Sequence, residues 1–293
     1  MALSEKLDLH MHTTISDGTD TPKELLHVVK KAGITCFSIT DHDAIEGAAL
    51  MQDLLSPGDP MFIPGVEFSA KDELGKYHIL GYGFAPSSPA MQKLVEKGHD
   101  NRMTELRSRL AALKEECSIV FPEEELEKLL SLPNPGKPHI GNLMVKYGYA
   151  PDRNHAIREI INKLHVQSLD LLPDEVIDTI SRAGGIPVLA HPVFGSGTQK
   201  IFGEDLKKRI DHLCEMGLKG IEAYYSGFTK EIRDEVLSLA DKKGLLITCG
   251  SDYHGNNKTV LPGEIGPDSP EDFLEKAAAF IVEIKRSCTF VSF

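Results

Sequence analysis

Asp8-Leu9-His10-Met11-His12, with Ser16-Asp17-Gly18 close behind, is the stretch from which the rest of the chain is read. Lys6 to Leu9 alternates polar and apolar residues, as a short strand does, and the two histidines fall where that strand should end. In extended backbone, residues i and i+2 point to the same side, so His10 and His12 present two imidazoles to one point. Two neutral imidazoles aimed at one point suit a metal ion, and Asp17 in its glycine-containing turn lies near enough to serve the same site or its neighbour.

Similar events recur down the chain. Thr21-Pro22-Lys23-Glu24 combines an N-cap, a first-turn proline and a capping-box acid, so a helix should run to about Lys31 and stop at Gly33. Ile34 to Ile39 reads as a buried strand ending in Thr40-Asp41-His42-Asp43, and a helix follows from about Ala44 to Leu55. Met61 to Val66 is a third strand ending in Glu67, and Tyr77 to Tyr82 a fourth with His78 near its beginning. After about Ser87 the alternation gives way to four helical stretches: Met91 to Cys117, Pro122 to Leu130, His139 to Tyr147 and Asn154 to Lys163. Alternation then resumes with a helix from Pro173 and the strand Ile186 to Ala190, which runs into His191-Pro192. Later come the strands Gly220 to Tyr224 and Leu245 to Cys249, the last followed by Gly250-Ser251-Asp252-Tyr253-His254. Strand-helix alternation with short turns predicts a parallel α/β barrel of about seven strands, in which strand C-termini share one face. The expected organisation is a barrel from residues 1–87 and 171–293, with a helical insertion over 88–170 acting as a substrate cap.

Length and composition fit this plan. The chain has 293 residues, 41% of them hydrophobic, which suffices for one large core plus an insertion. A net charge of −12 argues against broad, nonspecific binding to nucleic acid or an anionic membrane. Cys36, Cys117, Cys214, Cys249 and Cys288 are odd in number and scattered, as reduced thiols of a cytoplasmic protein would be. No apolar run reaches membrane-spanning length, and the N-terminal residues lack a signal-peptide apolar region.

His10, His12, Asp17, His42, Glu67, His78, His191, Asp252 and His254 nearly all stand at or just past predicted strand ends, whereas His27, His99, His155, His165 and His212 fall in helical segments. Mixed imidazole and carboxylate donors without cysteine suit Zn, Mn or Fe. Nine donors exceed the need of one ion, and Glu67 can bridge through its two oxygens, so two or three divalent cations are expected. Such centres activate water and clamp phosphoryl oxygens. Three divalent cations set against Asp17, Glu67 and Asp252 would leave roughly +3 locally despite the acidic chain. Asp41 and Asp43 are expected to orient His42.

Taken together, DLHMHTTISDG (8–18), ITDHD (39–43), IPGVEFS (63–69), YHILGY (77–82), VLAHP (188–192) and GSDYH (250–254) resemble the PHP (polymerase and histidinol phosphatase) metal-dependent phosphoesterases. The similarity is greatest to the branch with a helical insertion between the fourth strand and the AHP motif. It implies a distorted seven-stranded barrel with a trinuclear site. One ion would take His10, His12, Glu67 and Asp252, a second Glu67, His78 and His191, and a third Asp17, His42 and His254. It also implies hydrolysis of phosphate monoesters of nucleotides, 3′,5′-bisphosphates included, through a metal-activated hydroxide, with His10, His12, Glu67, His191, Asp252 and His254 as the catalytic set. Lys137 and His139 correspond to a substrate clamp, and Arg102 is a candidate for bidentate phosphate contact. Two other readings stay open: a 5′→3′ exoribonuclease acting on short RNA, and a non-catalytic metal-binding interaction module.

Overall fold

The computed structural model describes residues 6–196, 199–266 and 273–288. Seven strands among them form one sheet in chain order: β1 (Leu7–Asp8), β2 (Cys36–Ile39), β3 (Met61–Asp72), β4 (Gly75–Tyr82), β5 (Ile186–Leu189), β6 (Gly220–Tyr225) and β7 (Leu246–Gly250). The Leu9 N–H donates to the Cys249 carbonyl at 3.0 Å, which brings the first strand against the last and nearly closes the ring. The protein is therefore a distorted α/β barrel of seven strands.

The expectation of an all-parallel sheet is corrected at one place. β4 runs antiparallel to both β3 and β5, while the remaining neighbours are parallel. Leu74-Gly75 turns the chain tightly, with the Leu74 N–H donating to Asp72 Oδ1 at 2.8 Å and Gly75 at φ +132°, so no crossover helix separates the pair. β3 consequently continues past Glu67 to Asp72 rather than ending at Val66. Reversal also explains how His78, near the start of its strand, reaches the same face as the other strand ends: it pairs with Ser69 on β3.

The helix α1 (Pro22–Lys31) carries the expected capping box, Thr21 with Glu24. Leu25, Leu26 and Val29 on its inner face pack with Phe37, Ile39, Met51 and Phe62. Four further helices, α2 (Glu46–Leu54), α7 (Pro173–Arg182), α8 (Gly203–Glu215) and α9 (Lys230–Lys243), complete the alternation. Between β4 and α7 lie α3 (Pro89–Cys117), α4 (Glu123–Leu130), α5 (Lys137–Lys146) and α6 (Arg153–His155), the last leading into a π turn over Ala156–Ile160 and a 3-10 turn over Ile161–Lys163. These helices have their own cluster, in which Met103, Leu106, Leu113, Phe121, Ile140, Met144 and Ile161 are buried together.

One element was not anticipated from sequence. The helix α10 (Phe273–Ser287) buries Phe273, Ala277, Phe280 and Ile284, a one-faced spacing that a helix needs. Phe280 is fully buried and meets the Tyr82 ring edge-on at 5.3 Å. Burying a ring of that size contributes about 1.5–3 kcal/mol. No helix among the described residues is long and apolar enough to cross a membrane.

Candidate metal centre

The strand ends hand their hydrogen-bond ladders directly to the histidine-bearing turns. Beyond β1, the His12 N–H donates to the Tyr253 carbonyl (2.8 Å), the Asp252 N–H to the His10 carbonyl (2.8 Å) and the Thr40 N–H to the Met11 carbonyl (2.8 Å). The Asp43 N–H donates to the Glu67 carbonyl (2.9 Å) and the Ala190 N–H to the His78 carbonyl (3.0 Å). Main chain thus fixes the spacing of side chains that lie far apart in sequence.

All nine candidates converge. Glu67 sits at the centre, with its two oxygens facing different imidazoles. Oε2 is 3.4 Å from His10 Nε2, 3.3 Å from His12 Nε2 and 3.1 Å from His42 Nδ1. Oε1 is 2.8 Å from His78 Nδ1 and 3.1 Å from His191 Nε2. Asp252 Oδ1 lies 3.4 Å from His12 Nε2, 3.7 Å from His10 Nε2 and 3.3 Å from His254 Nδ1. Asp17 lies 3.2 Å from His254 Nε2, 3.7 Å from His12 Nδ1 and 3.9 Å from His42 Nε2.

Titration follows from this crowding. Burial works against the charged form of every member: in His42 and His254 it prevails and lowers the imidazole, while in the three carboxylates and His12 the opposite charges prevail. Burial alone would raise the Glu67 carboxyl, yet His78, His42 and His10 hold it well below the usual range. Asp17 and Asp252 are likewise held well below, Asp17 by His254 and His42 and Asp252 by Lys258 and His254. Burial lowers His12, but Asp252, Glu67 and Asp17 raise it to about 9.

These residues fit a cluster of divalent cations. His10 Nε2, His12 Nε2, His42 Nδ1 and His78 Nδ1 are buried without a hydrogen bond, although each has a carboxylate oxygen within 3.4 Å. Buried lone pairs that converge unsatisfied are what a cation between them would satisfy. Among the described residues, three overlapping groups have ligand atoms within 4.8 Å of one another: His12, Asp17, His42 and His254; His10, His12 and Glu67; His42, Glu67 and His78.

Backbone strain collects at the same place. Of four non-glycine residues with positive φ among those described, His191 (25°) and Asp252 (58°) belong to the cluster and Asp43 (47°) follows His42. Each such residue costs on the order of 1–3 kcal/mol and persists only where its surroundings hold it. Tyr225 does so for Asp252, donating its hydroxyl to Oδ2 at 2.7 Å.

Asp41 and Asp43 do not take the expected role of orienting the His42 ring. Asp41 accepts from the Thr13 N–H (2.8 Å) and the Ser16 hydroxyl (2.6 Å), which pins the turn carrying Asp17. Asp43, turned by its left-handed backbone, accepts from the Ser69 N–H (2.9 Å) and pairs with Arg102. Arg102 therefore spends its charge on the barrel. Lys137 reaches Asn162 Oδ1 at 2.7 Å, and His139 turns Nδ1 back onto the Gly136 N–H at 3.1 Å, inside the first turn of α5.

A cavity of about 300 Å³ opens above the cluster, lined by Glu67, His78, His191, Asp252 and His254 below and by Arg102, Lys137 and Arg153 from the helical segment. Lys76, Arg109 and Lys258 also line it and went unrecognised in the sequence, as did Arg153. No local pattern marks these lysines and arginines. Arg102, Arg109, Lys76 and Lys258 are each paired with a carboxylate, whereas Lys137 and Arg153 have none within ion-pair distance among the described residues. His139 is not among the lining side chains. The buried Glu222 was also missed. A lone acid in the otherwise apolar strand GIEAYY was the available signal.

Residues 8–165 match the PHP domain family. The chain belongs to that family. It is 28% identical over 267 residues to a phosphoribosyl 1,2-cyclic phosphate 1,2-diphosphodiesterase of Eggerthella lenta, covering 85% of this chain and 94% of that one. It is 27% identical over 257 residues to a 5′-3′ exoribonuclease of Haemophilus influenzae, covering 86% and 91%. Among solved structures, a protein of Bifidobacterium adolescentis provisionally named a metal-dependent phosphoesterase superposes with a TM-score of 0.79 at 26% identity, covering 93% of this chain and 96% of that one. The PHP fold thus spans nearly the whole chain, helical segment included.

Proposed function

We propose that this PHP protein hydrolyses phosphate monoesters of nucleotides or similar small molecules. One observation carries the reading: Glu67 faces two sets of imidazoles with its two oxygens, at the floor of a cavity that also holds Lys137 and Arg153. His10, His12, Glu67 and Asp252 would hold one divalent cation, Glu67, His78 and His191 a second, and Asp17, His42 and His254 a third. Zn, Mn and Fe all accept such donors. When bound, these ions supply a nucleophilic water at neutral pH and neutralise phosphoryl charge.

The chain's own residues do the rest. Main-chain ladders hold the imidazoles in place before the substrate arrives, so little reorganisation accompanies reaction. Residues 88–170 act as a cap, anchored where Arg102 meets Asp43 and where the Asn134 amide donates to the His42 carbonyl. From that cap Lys137 and Arg153 offer charge to phosphate oxygens. A volume of about 300 Å³ is at the small end of ligand pockets, which favours a mononucleotide-sized substrate or one chain end.

The decisive measurement is phosphate release with Mn, Fe(II) or Zn from a nucleoside monophosphate and a 3′,5′-bisphosphate, beside nucleotide release from a short 5′-phosphorylated RNA. Turnover should be fastest on the small phosphates. RNA as the far better substrate makes the protein an exoribonuclease. Metal binding with no hydrolysis of any phosphoester makes it an interaction module.

A second expectation concerns pH. Burial, with Arg109 and Lys76 nearby, lowers the Lys137 ammonium to about 8. The side chain is charged below that pH and neutral above it, so KM for a phosphorylated substrate should rise as pH passes 8. Lys137→Arg, which keeps its charge, should flatten that rise. Lys137→Ala should raise KM ~10- to 100-fold, the worth of one hydrogen bond to a charged group. A wild-type KM that stays level from pH 7 to 9.5 removes Lys137 from substrate binding.

A further inference from the structure

Glu222 lies in the middle of β6, flanked by the buried Ile221 and Ala223, and is itself fully buried. It is in none of the donor groups suited to a cation. Both of its oxygens are engaged elsewhere. Oε1 is 3.0 Å from His10 Nδ1, and Oε2 accepts the His191 N–H at 2.8 Å. The carboxylate is also wedged in place: a Cβ on Gly250 would stand 2.6 Å from Oε1. One side chain therefore grips a histidine that faces Glu67 Oε2 and the backbone of another that faces Oε1.

We propose that Glu222 is a positioning residue that sets the tautomer of His10, and so makes His10 Nε2 available to a cation. The inference rests on the metal reading above. Glu222 Oε2 already accepts a main-chain N–H, and in the proposed pairing Oε1 accepts as well, from His10 Nδ1. With hydrogen on Nδ1, the neutral ring keeps its lone pair on Nε2, the buried atom that lacks a hydrogen bond and faces Glu67 and Asp252. The other oxygen holds His191 in its left-handed conformation at φ 25°. Orientation of a ligand from behind is a known way to tune a metal site, and removing it costs on the order of 10- to 100-fold in affinity.

Glu222→Gln tests this with almost no change of shape. The amide oxygen can still accept the His191 N–H, but the NH2 group must then face His10. That donor demands a lone pair on Nδ1 and moves the ring proton to Nε2, where it blocks the cation. The variant should bind one ion per chain ~10- to 100-fold more weakly, read by equilibrium dialysis with elemental analysis. The visible spectrum of the cobalt(II)-loaded protein should change with it, while the metal-free variant melts where the metal-free wild type does. Unchanged stoichiometry and spectrum overturn the proposal. So does a metal-free melting temperature that falls in step with metal loss, because Glu222 is then a structural support only.

Wild-type protein gives an independent reading should the variant fail to fold. Nitrogen-15 NMR of the zinc-loaded protein should show His10 protonated at Nδ1, and the opposite tautomer sinks the idea. If the wild type takes up no cobalt or zinc at all, the metal reading itself falls. If it takes up its full complement and Glu222→Gln does the same, only the role of Glu222 falls.

Discussion

Glu67→Gln should reduce phosphoester hydrolysis by ~10³-fold or more under saturating metal. The substitution preserves volume but replaces one of two oxygens with an NH2 group. Five imidazole nitrogens lie within 3.4 Å of those oxygens, so whichever way the amide turns, one set faces a donor in place of an acceptor. A carboxylate able to bridge two cations is replaced by a group that cannot, and charge stabilisation by a metal cluster is worth several kcal/mol at about 1.4 kcal/mol per tenfold in rate. His10→Ala combined with His12→Ala should reach a similar floor rather than multiply it, since groups that act as a unit are not additive. Metal content and turnover should fall together. Turnover that survives either variant at wild-type level ends the account of a cation cluster at this barrel mouth.

Gly250→Ala should be strongly damaging although the residue lies outside the cluster itself. A Cβ there would stand 2.1 Å from His10 Cβ, 2.6 Å from Glu222 Oε1 and 3.1 Å from His10 Cα. Backbone cannot yield as a flexible side chain can, so β7 must move away from the turn that bears His10. Overpacking of this kind costs about 1–3 kcal/mol, and here the displaced atoms are those that aim an imidazole. Metal binding and turnover should both drop by orders of magnitude while the protein still folds. Gly33→Ala is the control. Gly33 has a left-handed φ of +70° with nothing within 4 Å of its missing Cβ, so that change should cost about 1 kcal/mol and leave turnover alone. Equal losses in the two variants would show that stability, not the position of His10, governs activity.

Short spacing marked His10 with His12 and Asp252 with His254, and position near predicted strand ends marked His42, Glu67, His78 and His191. Strand direction was not legible in the same way. Period-two patterning in Tyr77 to Tyr82 is identical whichever way a strand runs, so the reversal of β4 shows only in its pairing with Ser69 and Leu189. Glu222 escaped for a related reason: its meaning lies in His10, 212 residues away. Arg102 shows the limit from the other side. Its chemistry suits phosphate, yet the partner that occupies it, Asp43, is 59 residues upstream. The helix α10 was available in principle from Phe273, Ala277, Phe280 and Ile284.

The first strand spans two residues and is gripped from both sides, by β2 through Leu7 and Cys36 and by the last strand through Leu9 and Cys249. Asp8, at its end, accepts from the Ser251 N–H at 3.0 Å across 243 positions of chain. During synthesis the HxH turn is made before β7, and it has no last strand to close against until β7 follows. Loop closure over that distance costs entropy that only the finished ring returns. Shutting the ring and gathering the donor side chains are therefore coupled through the same contacts, so a chain that lacks β7 leaves His10 and His12 without the strand that sets them against Asp252.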